Sequence, residues 1–293
     1  MKRTCQSEVG KIETLYIKRV GDAFESDEKI EREWRLLNYI TKPELSLARE
    51  EYRNFEILLE QNEINLHYFP QNNTVSLDSM YCRDASIVTD AGVILCNMGK
   101  PQRSAEPEIQ GEAFVLNGVE ILGAIKTPGT VEGGDVAWLD EKTLAVGQSY
   151  RTNSEGIAQL EKYLNPVGVQ IITVPLPHHN GPGDVFHLMS VFSPVDYNLA
   201  VVYSPLMPIV FRNNLLDRGY SFVEVADEEF DSMGCNVLAV APGKCLMVRG
   251  NPRTRKALER AGCIVLEYDG AEISLKGGGG PTCLTRPFWR IDS

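Results

Sequence analysis

Paired runs of apolar residues recur along this chain at intervals of about fifty residues. Each pair indicates two strands joined by a tight turn, and it is followed by a helical pattern and then by a further apolar run. A polar residue opens each unit at the same phase, namely Asp84, Asp135, His187, Asn236 and Cys283. A fixed period of this length is typical of a propeller or a similar array of repeated units.

Local signals predict the remaining elements of each unit. Asn153 and the pair Asn251-Pro252 are typical helix starts, and Gly219 and Gly262 are typical helix stops. Helices are predicted at 104–117, 154–164, 208–218 and 252–261, and closing strands at 120–125, 169–175, 221–226 and 263–268.

The N-terminal part of the chain predicts an incomplete unit. Strands are expected at 11–20 and 64–69, with two helices within 26–62, the second opening at Thr41-Lys-Pro-Glu44, a capping-box pattern. The C-terminal strand at Cys283 would complete this unit, because pairing of the two chain ends removes exposed strand edges. The sequence therefore predicts an α/β array of five strand-strand-helix-strand units, closed by its two ends and forming a single domain over residues 1–293.

Residues at equal phase converge if the units surround a common axis. The converging set then holds two carboxylates, a histidine, an asparagine amide and a thiol, which are chemically functional groups. Cys283 and His187, distant in sequence but close in such a fold, form a candidate nucleophile and base. The alternatives are a buried cysteine and a histidine satisfied within the core.

Glycines accompany the candidate groups. Four of them, in Lys276-Gly-Gly-Gly-Gly-Pro-Thr-Cys283, allow a ligand or another part of the chain to approach the thiol closely. The motif Glu132-Gly-Gly-Asp135 brings two carboxylates together, and Asp78 and Asp84 add two more before a strand. Carboxylates gathered at one site need a cation, and a planar guanidinium matches them. A flexible turn and a solvated turn are the alternative interpretations of the two glycine motifs.

Overall charge and cysteine content narrow the class of protein. The net charge of −11 and pI of about 5.0 argue against a nucleic-acid partner and fit either a cationic small ligand or solubility alone. The N-terminus lacks the apolar stretch of a signal peptide, and no apolar run has the length of a membrane helix. Seven cysteines without paired spacing do not form a disulfide framework, which predicts a cytoplasmic protein with buried thiols such as Cys82, Cys96, Cys245 and Cys263.

No signal for a metal or a cofactor stands out. His178 and His179 lack acidic or cysteine partners at ligand spacing, so we predict no metal site. Neither a phosphate loop nor a dinucleotide fingerprint is present, so we predict no cofactor. The Gly/Pro-rich stretch 177–186 before His187 is either a lid over the site or an ordinary connection.

Four motifs taken together resemble the guanidino-group-modifying superfamily of arginine deiminases, dimethylarginine dimethylaminohydrolases and amidinotransferases. The resemblance covers about residues 11–290 and implies the five-bladed, pseudo-symmetric α/β propeller called the pentein fold. The motifs are Gly-Gly-Gly-Pro-Thr-Cys283, Glu132-Gly-Gly-Asp135, Phe186-His187-Leu and Arg83-Asp84.

The resemblance implies a role for each matching residue. Cys283 would attack the guanidinium carbon to form a covalent thiouronium, and His187 would be the general acid and base. Asp84 and Glu132 would hold the guanidinium. The remaining matches concern substrate binding: Asp78 would orient the substrate, Arg103 and Arg151 would hold its carboxylate, Asp135 would lie behind these groups, and Arg83 would stand beside Asp84.

Departures from the subgroup patterns leave the reaction open. Arg83 is typical of deiminases, because the dimethylarginine enzymes have a glutamate there, whereas Met189 replaces an aspartate of the deiminases. Chain length and the run His187-Leu-Met-Ser190 favour the dimethylarginine-hydrolase type. The resemblance thus implies hydrolysis of arginine or an N-substituted arginine, with amidino transfer to an amine and a non-catalytic guanidino-binding or protein-binding propeller as alternatives. It leaves monomer and homodimer open.

Overall fold

A computed structural model describes residues 2–292 as a mixed α/β structure. Its strands are β1 (Lys2–Thr4), β2 (Lys11–Ile17), β3 (Asn65–Tyr68), β4 (Ser86–Thr89), β5 (Gly92–Leu95), β6 (Ile121–Ala124), β7 (Val136–Asp140), β8 (Thr143–Gln148), β9 (Gln170–Pro175), β10 (Phe192–Asp196), β11 (Leu199–Val202), β12 (Ser221–Glu224), β13 (Leu238–Ala241), β14 (Lys244–Val248), β15 (Ile264–Tyr268) and β16 (Thr285–Asp292). Its helices are α1 (Val20–Phe24), α2 (Asp27–Glu33), α3 (Leu45–Gln61), α4 (Glu106–Leu116), α5 (Ser154–Leu164), α6 (Ile209–Asp217), α7 (Asp227–Phe230) and α8 (Pro252–Arg260).

Five small sheets carry the repeat that the hydrophobic period predicts. Four sheets share one plan, in which an antiparallel hairpin pairs in parallel with a third strand, as in β4-β5-β6, β7-β8-β9, β10-β11-β12 and β13-β14-β15. A parallel pair needs a crossover connection, and α4, α5, α6 and α8 supply it in turn. The predicted strand-strand-helix-strand unit is therefore present in each of these four sheets.

The fifth sheet joins the two ends of the chain in the order β1-β16-β2-β3. The C-terminal strand β16 runs antiparallel to both β1 and β2, with Thr285 opposite Ile17 and Lys2 opposite Asp292. The C-terminal segment thus completes the N-terminal unit, as predicted. The edge strand β1 was not predicted.

The prediction for the N-terminal helices is wrong in two respects. Helix α1 adds a short turn of helix before 26–62, and α3 begins at Leu45 rather than at the predicted cap Thr41. Tertiary hydrogen bonds keep the intervening segment out of helix, because Ile40 N donates to Lys276 O at 2.8 Å and Glu44 N donates to a Glu272 carboxylate oxygen at 2.7 Å. Pro43 also disfavours helical geometry in the residue before it.

Buried apolar side chains from the strands and from the crossover helices pack against each other and form the core. The cysteines predicted to be buried, Cys82, Cys96, Cys245 and Cys263, are buried and free. None of the helices in the described part combines the length and apolar character that crossing a bilayer requires.

Candidate active site

The candidate residues surround a cavity of about 460 Å³ at the ends of the repeated units. Of the nine side chains to which the resemblance assigns a role, six line this cavity: Asp78, Asp84, Arg103, Arg151, His187 and Cys283. Glu132 is fully buried behind His187, and Asp135 and Arg83 do not reach the cavity wall. The sequence phase therefore brings the thiol, the histidine and a carboxylate to one place.

Cys283 is a partly exposed residue that lines the cavity just before β16. The Asn236 amide donates to its Sγ at 3.5 Å, and Asn236 Oδ1 accepts from the backbone N and the hydroxyl of Thr282. Asn236, which the repeat placed at the same phase, therefore fixes both the thiol and its loop. Burial, followed by the nearby Asp84 charge, raises the pKa of Cys283 to about 11.

The glycines before Cys283 are needed for close packing. A Cβ on Gly279 would lie 2.5 Å from the Tyr81 ring, and one on Gly277 would overlap the Tyr81 hydroxyl. Tyr81 in turn donates to Ile273 O at 3.1 Å. The close approach expected from these glycines thus occurs with a tyrosine of another unit, which anchors the loop that carries the thiol.

His187 lies between two carboxylates. Its Nε2 donates to Glu132 Oε2 at 2.8 Å, and its Nδ1 is 4.0 Å from Asp84 Oδ1. Burial opposes a charge on the ring, but Asp135, Asp84 and Glu132 outweigh that cost and raise the pKa of His187 to about 9. The imidazole is therefore a protonated donor at neutral pH.

Glu132 is the ionised partner of this histidine. Burial alone would raise its pKa, but the His187 hydrogen bond and charge, with smaller effects of Arg151 and Arg103, lower the pKa to about 2. Its Oε1 also accepts from Lys100 N at 3.0 Å, and Arg151 Nη1 lies 3.5 Å from both carboxylate oxygens. These contacts fix the carboxylate in one orientation.

Asp84 lines the cavity, and its two carboxylate oxygens differ in their hydrogen bonds. Arg103 Nη1 donates to Oδ2 at 2.5 Å, whereas Oδ1 is buried without a hydrogen-bond partner. A buried acceptor without a donor carries a free-energy cost that a ligand can relieve. Asp84 Oδ1 is therefore an acceptor available to a bound donor.

Arg103 does not have the two free N–H groups that a residue needs to hold a substrate carboxylate with a pair of hydrogen bonds. Its guanidinium donates twice to Glu106, once to Tyr81 O and once to Asp84, which leaves one of the five N–H groups that arginine carries. Its assignment to the substrate carboxylate is corrected accordingly, because Arg103 supports Asp84 instead. The spacing of Arg103 and Glu106, three residues apart at the start of a helix, was the available signal for the partner that sequence reasoning missed.

Arg83 and Asp135 lie outside the cavity wall and contact other residues of the protein. Arg83 is almost fully buried and donates to Glu8 at 2.7 Å, so its expected place at the substrate is corrected to an internal ion pair. Asp135 accepts from Leu188 N at 3.0 Å and from the Ser149 hydroxyl at 2.6 Å. Asp135 thereby holds the residue next to His187, behind the cavity as expected, and burial raises its pKa to about 6.

Asp78 has a partner that sequence reasoning also missed. Lys100 Nζ donates to Asp78 Oδ2 at 2.6 Å and to Leu37 O at 2.8 Å. The repeat contains no lysine at this phase, so no pattern in the sequence pointed to Lys100.

Two connecting segments meet over the cavity. Residues 179–180 and 183–187 line one wall, and residues 37–38 and 40 line another. The Asn38 amide donates to Gly183 O at 3.3 Å, and Arg151 Nη2 donates to Asp184 O at 3.3 Å. The stretch 177–186, considered a lid or a connection from sequence, thus covers part of the cavity.

One set of donor atoms has the spacing of a cation site. Atoms of Asp84, Glu132 and His187 all lie within 4.8 Å of one another. A metal ion bound there would have to displace the proton shared by His187 and Glu132 and approach the cationic Arg103. The residues therefore fit a protonated hydrogen-bonded set better than a metal centre, and His178 and His179 belong to no such group among residues 2–292.

Comparison with known proteins points to the dimethylarginine hydrolases, both for a family model and for a relative of known name. The chain matches, over residues 22–290, a family model described as N,N dimethylarginine dimethylhydrolase, eukaryotic. The N(G),N(G)-dimethylarginine dimethylaminohydrolase of Pseudomonas aeruginosa is 27% identical over 251 residues, which cover 86% of this chain and 92% of that protein. The family resemblance drawn from the motifs is thereby confirmed.

Solved structures share the fold. That of DDAH from Pseudomonas aeruginosa, a cysteine-to-serine mutant complexed with citrulline, superposes with a TM-score of 0.75 at 22% identity and covers 94% of this chain and 98% of its own. SxtG, an amidinotransferase from Microseira wollei in the saxitoxin biosynthetic pathway, superposes with a TM-score of 0.75 at 15% identity and covers 99% and 98%. At these identities the superpositions establish a common fold.

Proposed function

Because the chain belongs to the N,N-dimethylarginine dimethylhydrolase family, we propose that it hydrolyses a guanidinium C–N bond of arginine, an N-substituted arginine or another guanidino compound. The products are citrulline or the matching ureido compound, with ammonia or an alkylamine. The observation that carries the proposal is Asp84 Oδ1, a buried acceptor without a partner in the cavity that Cys283 and His187 also line. A guanidinium N–H supplies the missing donor.

The first half of the reaction forms a covalent bond to Cys283. A bound guanidinium places positive charge beside the thiol, which releases its proton to solvent, and the thiolate attacks the guanidinium carbon. His187, protonated at neutral pH, gives its proton to the departing nitrogen as the C–N bond breaks. The amine leaves, and a cationic thiouronium remains on Cys283, stabilised by the Asp84 and Glu132 carboxylates.

The second half is hydrolysis of this intermediate. His187, now neutral, accepts a proton from water, and the oxygen attacks the thiouronium carbon. The C–S bond then breaks, the new hydroxyl group loses its proton to the leaving thiolate, and the ureido product departs. Glu132 keeps the histidine oriented and raises its basicity throughout, because its carboxylate accepts from Nε2.

The other residues have supporting roles in this proposal. Arg103 and Glu106 hold Asp84 by a chain of short hydrogen bonds. Arg151, with N–H groups left over after its contacts to Glu132 and Asp184 O, binds the substrate carboxylate. No step requires a metal or an organic cofactor.

The proposal includes the arrangement of the whole chain. We take the five sheets as blades of one closed propeller domain over residues 1–293, with the pairing of β16 with β1 and β2 closing the ring. The free cysteines are consistent with a reducing, cytoplasmic setting. The acidic net charge suits a cationic substrate rather than nucleic acid.

A panel assay tests the proposed reaction. Purified protein is given arginine, methylated arginines, agmatine and guanidino acids, with and without glycine as an acceptor amine, and ureido product and released amine are quantified. Ureido product without acceptor supports the hydrolase, whereas a new guanidino product that appears only with acceptor would identify an amidinotransferase. Absence of product and of Cys283 modification across the panel would favour a binding protein. Cys283→Ser, which keeps the side-chain size, is the control and should abolish turnover.

A further inference from the structure

We propose that Lys100 determines substrate preference at this site, favouring guanidino carboxylic acids without an α-ammonium group over arginine. The inference rests on the proposed function, because it concerns the tail of a substrate whose guanidinium is bound at Asp84.

Asp78, the carboxylate expected to orient the substrate, is already neutralised by the protein. Lys100 Nζ donates to its Oδ2 at 2.6 Å, and the two side chains are only 13% and 5% exposed. An ammonium group of a substrate would therefore meet at Asp78 a carboxylate whose charge is already balanced by an internal cation. Breaking a largely buried ion pair leaves one charge unpaired and is costly.

Lys100 is held rigidly beside the reacting groups. Its Nζ also donates to Leu37 O at 2.8 Å, and its backbone N donates to Glu132 Oε1 at 3.0 Å. The preceding Gly99 packs so closely on Arg151 that a Cβ would lie 2.6 Å from the Arg151 Cα. These contacts hold Lys100 at both ends, with its backbone N at Glu132 and its Nζ at Leu37 O and Asp78, and they leave one of the three Nζ–H groups free.

Among the lysines and arginines of the cavity, Lys100 and Arg151 are the two that we expect to contact the carboxylate end of the substrate. Arg103 is occupied by Asp84 and Glu106, and Lys276 donates to Glu272 at 2.6 Å. Lys100 and Arg151 both border Glu132. The N–H groups that Lys100 and Arg151 have left can donate to a tail carboxylate, whereas an α-ammonium finds the Asp78 carboxylate already paired.

Three guanidino compounds of matched chain length separate these contributions. δ-Guanidinopentanoate is arginine without its amino group, and agmatine is arginine without its carboxylate. The wild type is expected to show the highest kcat/KM with δ-guanidinopentanoate and the lowest with agmatine. In Lys100→Met the ratio of δ-guanidinopentanoate to arginine should fall by about tenfold or more, because a cation is lost and Asp78 becomes free to bind the ammonium.

Matched variants distinguish this role from a general change in charge or stability. Lys100→Arg retains the cation and should retain the preference, and Lys276→Met removes a charge from the same cavity and should leave the ratio unchanged. Asp78→Asn removes the carboxylate but not the cation, so it should preserve the preference for the acid. This last variant keeps the proposal testable if Lys100→Met does not fold, as judged by its thermal melting.

Binding to the Cys283→Ser protein, measured by calorimetry, gives a readout that does not depend on turnover. The same ranking of the three compounds is expected there. A wild type that binds and converts arginine as well as δ-guanidinopentanoate would overturn the role of Lys100 and leave the proposed reaction intact, with Asp231 on the cavity wall as the next candidate for the ammonium. Neither binding nor turnover of any guanidino compound would overturn both.

Discussion

The environment of Cys283 predicts that its reactivity depends on the charge of the reagent. With a pKa raised to about 11 by burial and by Asp84, roughly one thiol in a thousand is ionised at pH 8. A thiol at the ordinary pKa of about 8.5 would be about one quarter ionised. Alkylation of the resting protein by a neutral reagent such as chloroacetamide should therefore be about two orders of magnitude slower than that of an unperturbed thiol.

A cationic reagent of similar size should restore the rate of alkylation. A charge about 4 Å from the sulfur interacts with the thiolate by about 4 kcal/mol at an effective dielectric constant near 20. Since one pKa unit corresponds to about 1.36 kcal/mol, the apparent pKa falls by about three units, to near 8. Chloroacetamidine should thus label Cys283 at least about a hundredfold faster than chloroacetamide, after correction for their rates with free cysteine.

The assay measures both labelling rates by peptide mass spectrometry between pH 6 and 10. Cys263 is the competitor to follow, because its hydrogen bond with Cys245 lowers its pKa. Asp84→Asn gives a test with opposite signs: the neutral reagent should react faster because a nearby negative charge is gone, and the cationic reagent should react more slowly because its binding group is gone. Equal corrected rates for the two reagents, or a labelling midpoint near 8.5 in the resting protein, would refute this reasoning.

Four further outcomes follow from the same geometry. Glu132→Gln removes one of the carboxylates that keep His187 protonated up to about pH 9, so the midpoint for the imidazole, followed by NMR in the Cys283→Ser protein, should move to lower pH; an unchanged midpoint would contradict the assigned hydrogen bond. Because this pKa is raised, its stabilising effect is complete below about 6.5 and is lost as pH rises through about 9, so the melting temperature should fall over that interval, and less so in His187→Gln. Gly279→Ala should destabilise the fold by about 1–3 kcal/mol in denaturant titrations, whereas Gly183→Ala, where no atom lies within 4 Å of the added Cβ, should not. Treatment with a strong chelator should leave turnover unchanged, and its loss with recovery on adding a metal would contradict the proposed chemistry.

The repeated units were predictable because each combines two signals that act locally. Apolar strand pairs alternate with helices that have ordinary starts and stops, so the prediction of 208–218 agrees with α6 at Ile209–Asp217. Asn153 caps its helix by accepting from Gly156 N at 2.8 Å, as its position indicated. Helix α1 was missed because five residues carry too little local signal, and it is held by burial of Val20 and Phe24 against the rest of the fold.

The phase of the repeat predicted which groups would meet but not what each would contact. Asn236 was expected at the converging end and is found donating to the Cys283 thiol. Asp135 occupies the same phase, yet its carboxylate points to Leu188 N and the Ser149 hydroxyl. Equal phase predicts where in its repeated unit the backbone of a residue lies. The direction of its side chain depends in addition on the rotamer and on neighbours from other units.

Pairing among charged residues is the part of the site that sequence reasoning missed. Arg103 and Asp78 both carry groups suited to a charged substrate. However, Arg103 is paired with Asp84 and Glu106, and Asp78 is paired with Lys100. A count of charges in the sequence therefore overstates the number of groups free to bind a ligand, because a buried charge is first satisfied within the protein. Asp84 Oδ1 remains a buried acceptor without a hydrogen-bond partner, and this is the reason to place the guanidinium there.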